Sequence, residues 1–349
     1  MVLHEAELRR NRLRIVPVAL LGALNYWLAA IIVTVCAIVG TVVAFALASI
    51  FEADLWDVAI AVGRLLVEVA DVVDWSAVGL VTLIGFVAIG TIAAVVLIVR
   101  HLRGVEATVV RETGATIADP NDLQPDVREV ANLLAGLAIA ADVPVPRFAV
   151  VEDPAPNAFA VGRRPERVLV GVTTGLLDSL SRAEVEAVLA SEISRIATFD
   201  VALSTWAVAL TGKTITFADE AAAGEHRLRG VLLAPSVFIA EWLRGFALRD
   251  DARKRDMIAV RFTRNPRALL DALETLERDR TVVRNVSRAT APLWFESAAP
   301  PTRSRWARRF TTEPSLAERI ALVRALLREP GPGSTLTDEA ARPDGPEGE

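Results

Sequence analysis

Ile15 to Phe51 contains no charged side chain, and about 20 apolar residues are enough to cross the hydrocarbon core of a bilayer. A helix of roughly Tyr26 to Ile50 is therefore expected to span a membrane, with Pro17 in an interfacial lead-in. Trp75 to Val99 is a second charge-free run, with Trp75 placed as an interfacial anchor. Both runs exceed the apolar core of a cleavable signal peptide, so both helices are expected to be retained. The composition agrees: 52% of the 349 residues are hydrophobic, and the mean hydropathy is +0.39, high for a chain with 23% charged residues. The single cysteine, Cys36, excludes an internal disulfide framework and suits a reducing compartment.

The flanks orient these spans. Arg9, Arg10, Arg12 and Arg14 precede the first, and Arg100 and Arg103 follow the second. The intervening loop carries Glu52, Asp54, Asp57, Glu68, Asp71 and Asp74 against Arg64. Positive residues stay inside, so a multi-pass cell-membrane protein with both ends in the cytoplasm is expected. Asp57, Arg64, Glu68 and Asp71 share one helical face. That pattern fits an amphipathic helix on the outer surface or a loop helix packed on the spans.

Beyond the spans the pattern changes to caps, stripes and short β-rich runs. Ser181 with Glu184 forms a capping box, and Val185, Leu189, Ile193 and Ile196 give a core-facing stripe through Asp200. Val127, Val130, Leu134 and Leu137 mark an earlier helix. Asn265-Pro266 opens another carrying Leu269, Leu273 and Leu276, and Ser315 with Glu318 caps a last one carrying Leu316, Ile320, Val323 and Leu327. Between the first of these helices and Ser181, the runs FAVVED, NAFAVG and RVLVGVTT read as strands. The expected fold is mainly α with a small β-sheet, an α+β domain joined to transmembrane helices. Its domains would be a membrane part over 1–104, a folded domain over 105–328 and an acidic, Pro/Gly-rich disordered tail over 329–349. Two weaker apolar stretches within 201–246 form either a membrane-dipping hairpin or a buried soluble one. Arg303, Arg305, Arg308 and Arg309, interleaved with Trp306 and Phe310, suit anionic headgroups of the lipid bilayer. No nucleic-acid-binding motif accompanies them, so a nucleic-acid partner is not expected.

The run DVPVPRFAVVEDPAPNAFAVGRRPERVLVGVTTGLLDSLSRAEVEAVLASEISRI, Asp142 to Ile196, resembles the HtpX-type membrane zinc metallopeptidases in order and spacing. PNAFAVG at Pro156 to Gly162 and VTTGLL at Val172 to Leu177 are its most specific pieces. DARKRDMIAVRFTRNPRALLDAL, Asp251 to Leu273, resembles the segment carrying that family's third zinc ligand, and TTEPSLAERIALVRAL its closing T-H-P-P-x-x-E-R-I segment. The resemblance covers roughly Pro120 to Leu327 and implies a zincin-like metallopeptidase domain.

In that family a helical H-E-x-x-H places two imidazoles one turn apart with a general-base Glu between them. Carried over by position, the resemblance puts Ser191 and Arg195 at the two His places and Ala252 at the third ligand, with Asp256 as the terminal Asp of E-x-x-A-D. Glu313 falls where a His would steady the reaction intermediate. Only Glu192 remains at its family position, that of the catalytic general base. The histidines are His4, His101 and His226, none placed to converge on Glu192, so no zinc or other cofactor is expected. A guanidinium has no lone pair for a metal and stays protonated. Arg195 is instead expected to replace the metal's charge by pairing with Glu192 or Asp256.

The resemblance also implies an edge strand at Asn157, Ala158 and Phe159 where an extended peptide can add through its main chain. The same edge could equally be covered by the chain around Pro300. Three functions follow. The first is an inactive homologue binding peptides or membrane-protein partners, including an active paralogue. The second is an active zinc endopeptidase with non-standard ligands in membrane-protein quality control. The third is a membrane scaffold with an empty-handed cleft.

Overall fold

The three β-rich runs pair as one sheet, in the computed structural model of the chain, which describes residues 9–28, 30–31, 75–119, 125–222, 234–248, 252–279, 281–284, 286–296 and 315–328. In chain order, helix α1 covers residues 9–28, α2 Trp75–Thr113, β1 Thr116–Ile117, α3 Pro125–Ala140, β2 Arg147–Val151, β3 Ala158–Gly162 and β4 Val168–Thr173. Helices α4 Thr174–Ser179, α5 Arg182–Ala197, α6 Asp200–Ala222, α7 Ala234–Ala247, α8 Ala252–Thr263, α9 Pro266–Arg278 and α10 Leu316–Arg328 follow. Two 3-10 turns, Pro165–Arg167 between β3 and β4 and Ala291–Leu293 before α10, complete the described elements.

The sheet has the order β1-β2-β4-β3, with β2 and β4 parallel and the other pairs antiparallel. Strand β1, two residues long, is too short to show a pattern in sequence. Phe148, Ala158, Ala160, Val168, Val170 and Val172 face the cluster built on α3, α5 and α9. Ala149, Val151, Phe159, Val161 and Leu169 face the cluster containing the end of α2 and part of α6. Because both faces are covered, β3 and β4 are buried along their whole length, which is why their sequences are apolar throughout rather than alternating. Phe159 lies opposite Gly171. A Cβ at Gly171 would overlap the Phe159 ring, so only glycine lets the ring cross the sheet there.

The expected helices form where their caps place them. Asn265 accepts from the Ala268 N–H at 3.1 Å. Ser315 and Glu318 exchange bonds of 3.0 and 3.3 Å across the first turn of α10, satisfying amide donors that a helix start otherwise leaves open. Leu269, Leu273, Leu276, Ile320 and Val323 are buried as their spacing requires.

Helix α2 runs through residue 104 and on to Thr113. Its last turns, with Leu102, Val105 and Val109, pack on the sheet. Ala88–Thr113 of α2 and Asp200–Glu220 of α6 are, among the described residues, long and apolar enough to cross a membrane. Helices α6 and α7 pair as the two arms of the expected hairpin and pack with Val18 of α1 through Leu203, Ala207, Leu210, Leu243 and Ala247. Asn25 of α1 ties them further, donating to Thr214 at 3.2 Å and accepting from Ser236 at 2.6 Å. Most of the span Tyr26 to Ile50, the acidic loop helix, the hairpin tip at 223–233, the arginine tract at 303–310, Glu313 and the tail at 329–349 lie outside the described residues.

Candidate functional site

Helix α5 begins with the capping box, the Ser181 N–H donating to the Glu184 carboxylate at 2.6 Å. It is not a one-sided helix: every residue from Ala187 to Ala197 is buried, because α3, α6, α8 and α9 pack around it. The polar face carrying Ser191, Glu192 and Arg195 is therefore sealed rather than open to solvent, with exposures of 0%, 0% and 2%. A buried charge costs several kcal/mol unless it is paired. These three residues must therefore be satisfied within the protein.

Arg195 pairs with Glu192. Its Nη1 donates to Oε1 at 3.2 Å and Oε2 at 3.0 Å, and to the Leu293 carbonyl at 3.2 Å. Its Nη2 donates to the Pro292 carbonyl, also at 3.2 Å. Among the described residues, the Ser191 Oγ and Arg195 Nε have no hydrogen-bond partner. The second pairing open to Arg195, with Asp256, is taken by another residue. Arg319 of α10 donates from Nε and Nη2 to the two Asp256 oxygens at 2.9 and 2.8 Å. The Arg319 guanidinium also lies 4.4 Å over the Phe295 ring. Arg319 was not among the candidate residues, although it stands in the closing segment, next to the core residue Ile320. Ala252 opens α8 one turn before Asp256, and Ser194 ties α8 to α5 by donating to the Arg255 carbonyl at 3.2 Å.

Zinc requires imidazole, thiolate or carboxylate donors in a tetrahedral set. The face offers a hydroxyl, a carboxylate whose two oxygens already accept from Arg195, and a permanent cation. Among the described residues, no group of three His, Cys, Asp or Glu side chains is disposed to hold a metal ion. The described residues of this face do not fit zinc.

The sheet edge beside this face is β3. Trp294 forms an antiparallel bridge with Phe159, their rings 5.1 Å apart and tilted by 51°. The Phe295 N–H donates to the Ala158 carbonyl at 2.7 Å. Asn157 extends the ladder with its side chain: Oδ1 accepts from the Glu296 N–H at 3.2 Å, and Nδ2 donates to the Glu296 carbonyl at 3.1 Å. Thus Asn157, Ala158 and Phe159 do lie at one edge, and residues 294–296 of the same chain run along it. Burial pushes the Glu296 carboxyl up to about 7, against the pull of the nearby Arg319 and with a smaller push from Asp279.

A match to peptidase family M48 spans residues 123–327. A protease HtpX homolog of Dictyoglomus turgidum is 35% identical over 211 residues, covering 56% of this chain and 68% of the relative. One from Streptococcus gordonii is 30% identical over 230 residues, covering 58% and 75%. One from Listeria monocytogenes serotype 4a is 33% identical over 213 residues, covering 53% and 69%.

Proposed function

The chain belongs to peptidase family M48, of the HtpX-like kind, and from that premise we propose that it is a membrane-anchored pseudoprotease. In this reading Arg195 supplies the fixed positive charge that a metal would otherwise bring to the Glu192 carboxylate. The supporting observation is the Arg195 guanidinium itself, bonded at once to both Glu192 oxygens and to two main-chain carbonyls. A general base must be free to accept a proton from water. Glu192, buried and engaged by a cation, has no such freedom.

The protein crosses the cell membrane more than once and holds its peptidase-like domain, residues 105–328, on the cytoplasmic side. Exposed apolar side chains on α1 (Leu13, Val16, Leu20), α2 (Ile89, Ile92, Val96) and α7 (Phe238, Trp242) support contact with lipid, and the arginines flanking the apolar runs support the cytoplasmic side. Its partners are peptides or membrane proteins, an active paralogue among them, met by the cleft beside β3.

Metal analysis of the purified full-length protein, together with casein cleavage, tests the reading. Less than about 0.1 zinc per chain and no cleavage above buffer are expected, because the described residues around Glu192 offer no zinc donor set. Stoichiometric zinc, or cleavage abolished by Glu192→Gln, would restore the reading of an active endopeptidase with unusual ligands.

A further inference from the structure

The segment along β3 has three properties of a bound peptide rather than of a loop crossing a surface. It pairs antiparallel with the edge strand at Phe159 and Ala158. Its side chains enter buried positions, Leu293 at 0%, Trp294 at 3% and Phe295 at 3% exposure. Its carbonyls at Pro292 and Leu293 are held by Arg195. Strand addition to an edge takes its affinity from main-chain bonds and its selectivity from the pockets receiving the side chains. Here the Phe159 ring receives Trp294, and the Arg319 guanidinium caps Phe295. Asn157 presents a carbonyl and an N–H side by side, as a further peptide unit would, and both are used by Glu296.

We infer that the cleft between β3 and Arg195 is a peptide-strand site occupied by the chain's own Leu293–Glu296. An outside ligand is then an extended peptide with an aliphatic residue followed by two aromatic ones, and it binds only by displacing this segment. Arg195 serves the strand, resident or incoming, as a clamp on main-chain carbonyls. The inference rests on the proposal that the cleft binds peptides rather than cutting them. It adds that the site is closed at rest.

Displacement makes a definite prediction, because apparent affinity is lowered in proportion to the fraction of molecules whose site is open. The probe is a fluorescein-labelled peptide Ala-Pro-Leu-Trp-Phe-Glu, copied from residues 291–296, titrated by anisotropy against the full-length protein in detergent. Trp294→Ala weakens the resident strand, and the peptide's own Trp refills the place it leaves. It is expected to bind at least about tenfold more tightly than the wild type. Equal affinity for both proteins overturns the resident-strand inference while leaving the peptide-binding reading intact. No binding to either protein, with the variant still unfolding cooperatively, removes both.

A second variant decides the matter even if Trp294→Ala fails to fold. Phe159→Cys/Trp294→Cys, in a Cys36→Ser background, places two thiols at a directly opposed antiparallel pair, where Cβ atoms lie within reach of a disulfide. The oxidised form is expected to refuse the peptide and the reduced form to bind it at least about tenfold better. Binding indifferent to oxidation overturns the inference.

Discussion

Arg195 and Arg319 are buried alike, at 2% and 4% exposure, yet their carboxylates hold them differently. Arg319 meets Asp256 with a parallel fork, Nε and Nη2 to the two oxygens, and the partners are 63 residues apart on α10 and α8. Arg195 meets Glu192 three residues away on its own helix. Only Nη1 reaches that carboxylate, and it also donates to the Leu293 carbonyl, while Nη2 is turned to Pro292 and Nε is left without a partner among the described residues. A fork joining distant helices fixes tertiary structure. A pair within one turn fixes none, since the helix already sets the spacing. The first pair is therefore architecture. The second is a charge held within one helix and turned toward the main chain at Pro292 and Leu293.

Removing the architectural cation should have the largest effect. Arg319→Leu leaves Asp256 at 0% exposure without compensation, a change that costs about 3–5 kcal/mol in comparable buried pairs. It also removes the cation over Phe295. Thermal unfolding in detergent should show the largest fall in midpoint of any single variant considered, and a fall no greater than that of an exposed arginine would end the comparison.

Arg195→Met should cost less, about 2–3 kcal/mol, because its carboxylate partner lies on the same helix and no link between helices is lost. The double variant Glu192→Leu/Arg195→Met should then recover most of the loss, since apolar replacement of a whole buried pair is often neutral. The matching double variant at Asp256 and Arg319 should recover less, because it also deletes the link between α8 and α10. Equal recovery in both would erase the distinction between architecture and retained charge.

Glu296 gives the comparison a pH axis, since it follows Phe295 in the chain and is influenced by Arg319. Its carboxyl is raised from 4.5 to about 7 in the folded chain, first by burial. Unfolded, it loses its proton near the lower value, so between the two the folded state holds more protons and stability falls as pH rises. Allowing for its partial exposure, the loss is on the order of 2 kcal/mol. The contribution is fully present below the unfolded pKa and gone above the folded one. Glu296→Gln should flatten the midpoint between pH 5 and 8, and an unchanged slope would assign the titration elsewhere.

The caps, most of the stripes and three of the four strands are legible in the sequence, because each depends on residues close together in the chain; the last stripe ends early, with Leu327 39% exposed. Ser181 with Glu184, Asn265 with Ala268 and Ser315 with Glu318 are local devices that tertiary packing did not override. The two-residue β1 carried no pattern long enough to recognise. The partner of Arg195 was narrowed to Glu192 or Asp256 but not chosen, since choosing needed Arg319, 63 residues beyond Asp256, to be seen taking one of them. The occupant of the β3 edge was hidden for the same reason. Ala-Pro-Leu-Trp-Phe-Glu has no strand periodicity, and its role comes from what it lies against.

The smallest expected effect supplies the baseline. Arg324 of α10 pairs with Glu274 of α9 at 2.7 Å, but the two side chains are 53% and 27% exposed, so water competes for both charges and the pair is screened. Arg324→Ala should shift stability by about 0.5 kcal/mol or less, and 0.5 M salt should erase the shift. This pair joins two helices just as Asp256 and Arg319 do. Burial is then the variable that separates them, and a loss at Arg324 as large as that at Arg319 would mean that helix linkage, not desolvation, sets the cost. The expected ranking places Arg195 between them, as deeply buried as Arg319 but linking nothing beyond its own helix and the strand it clamps.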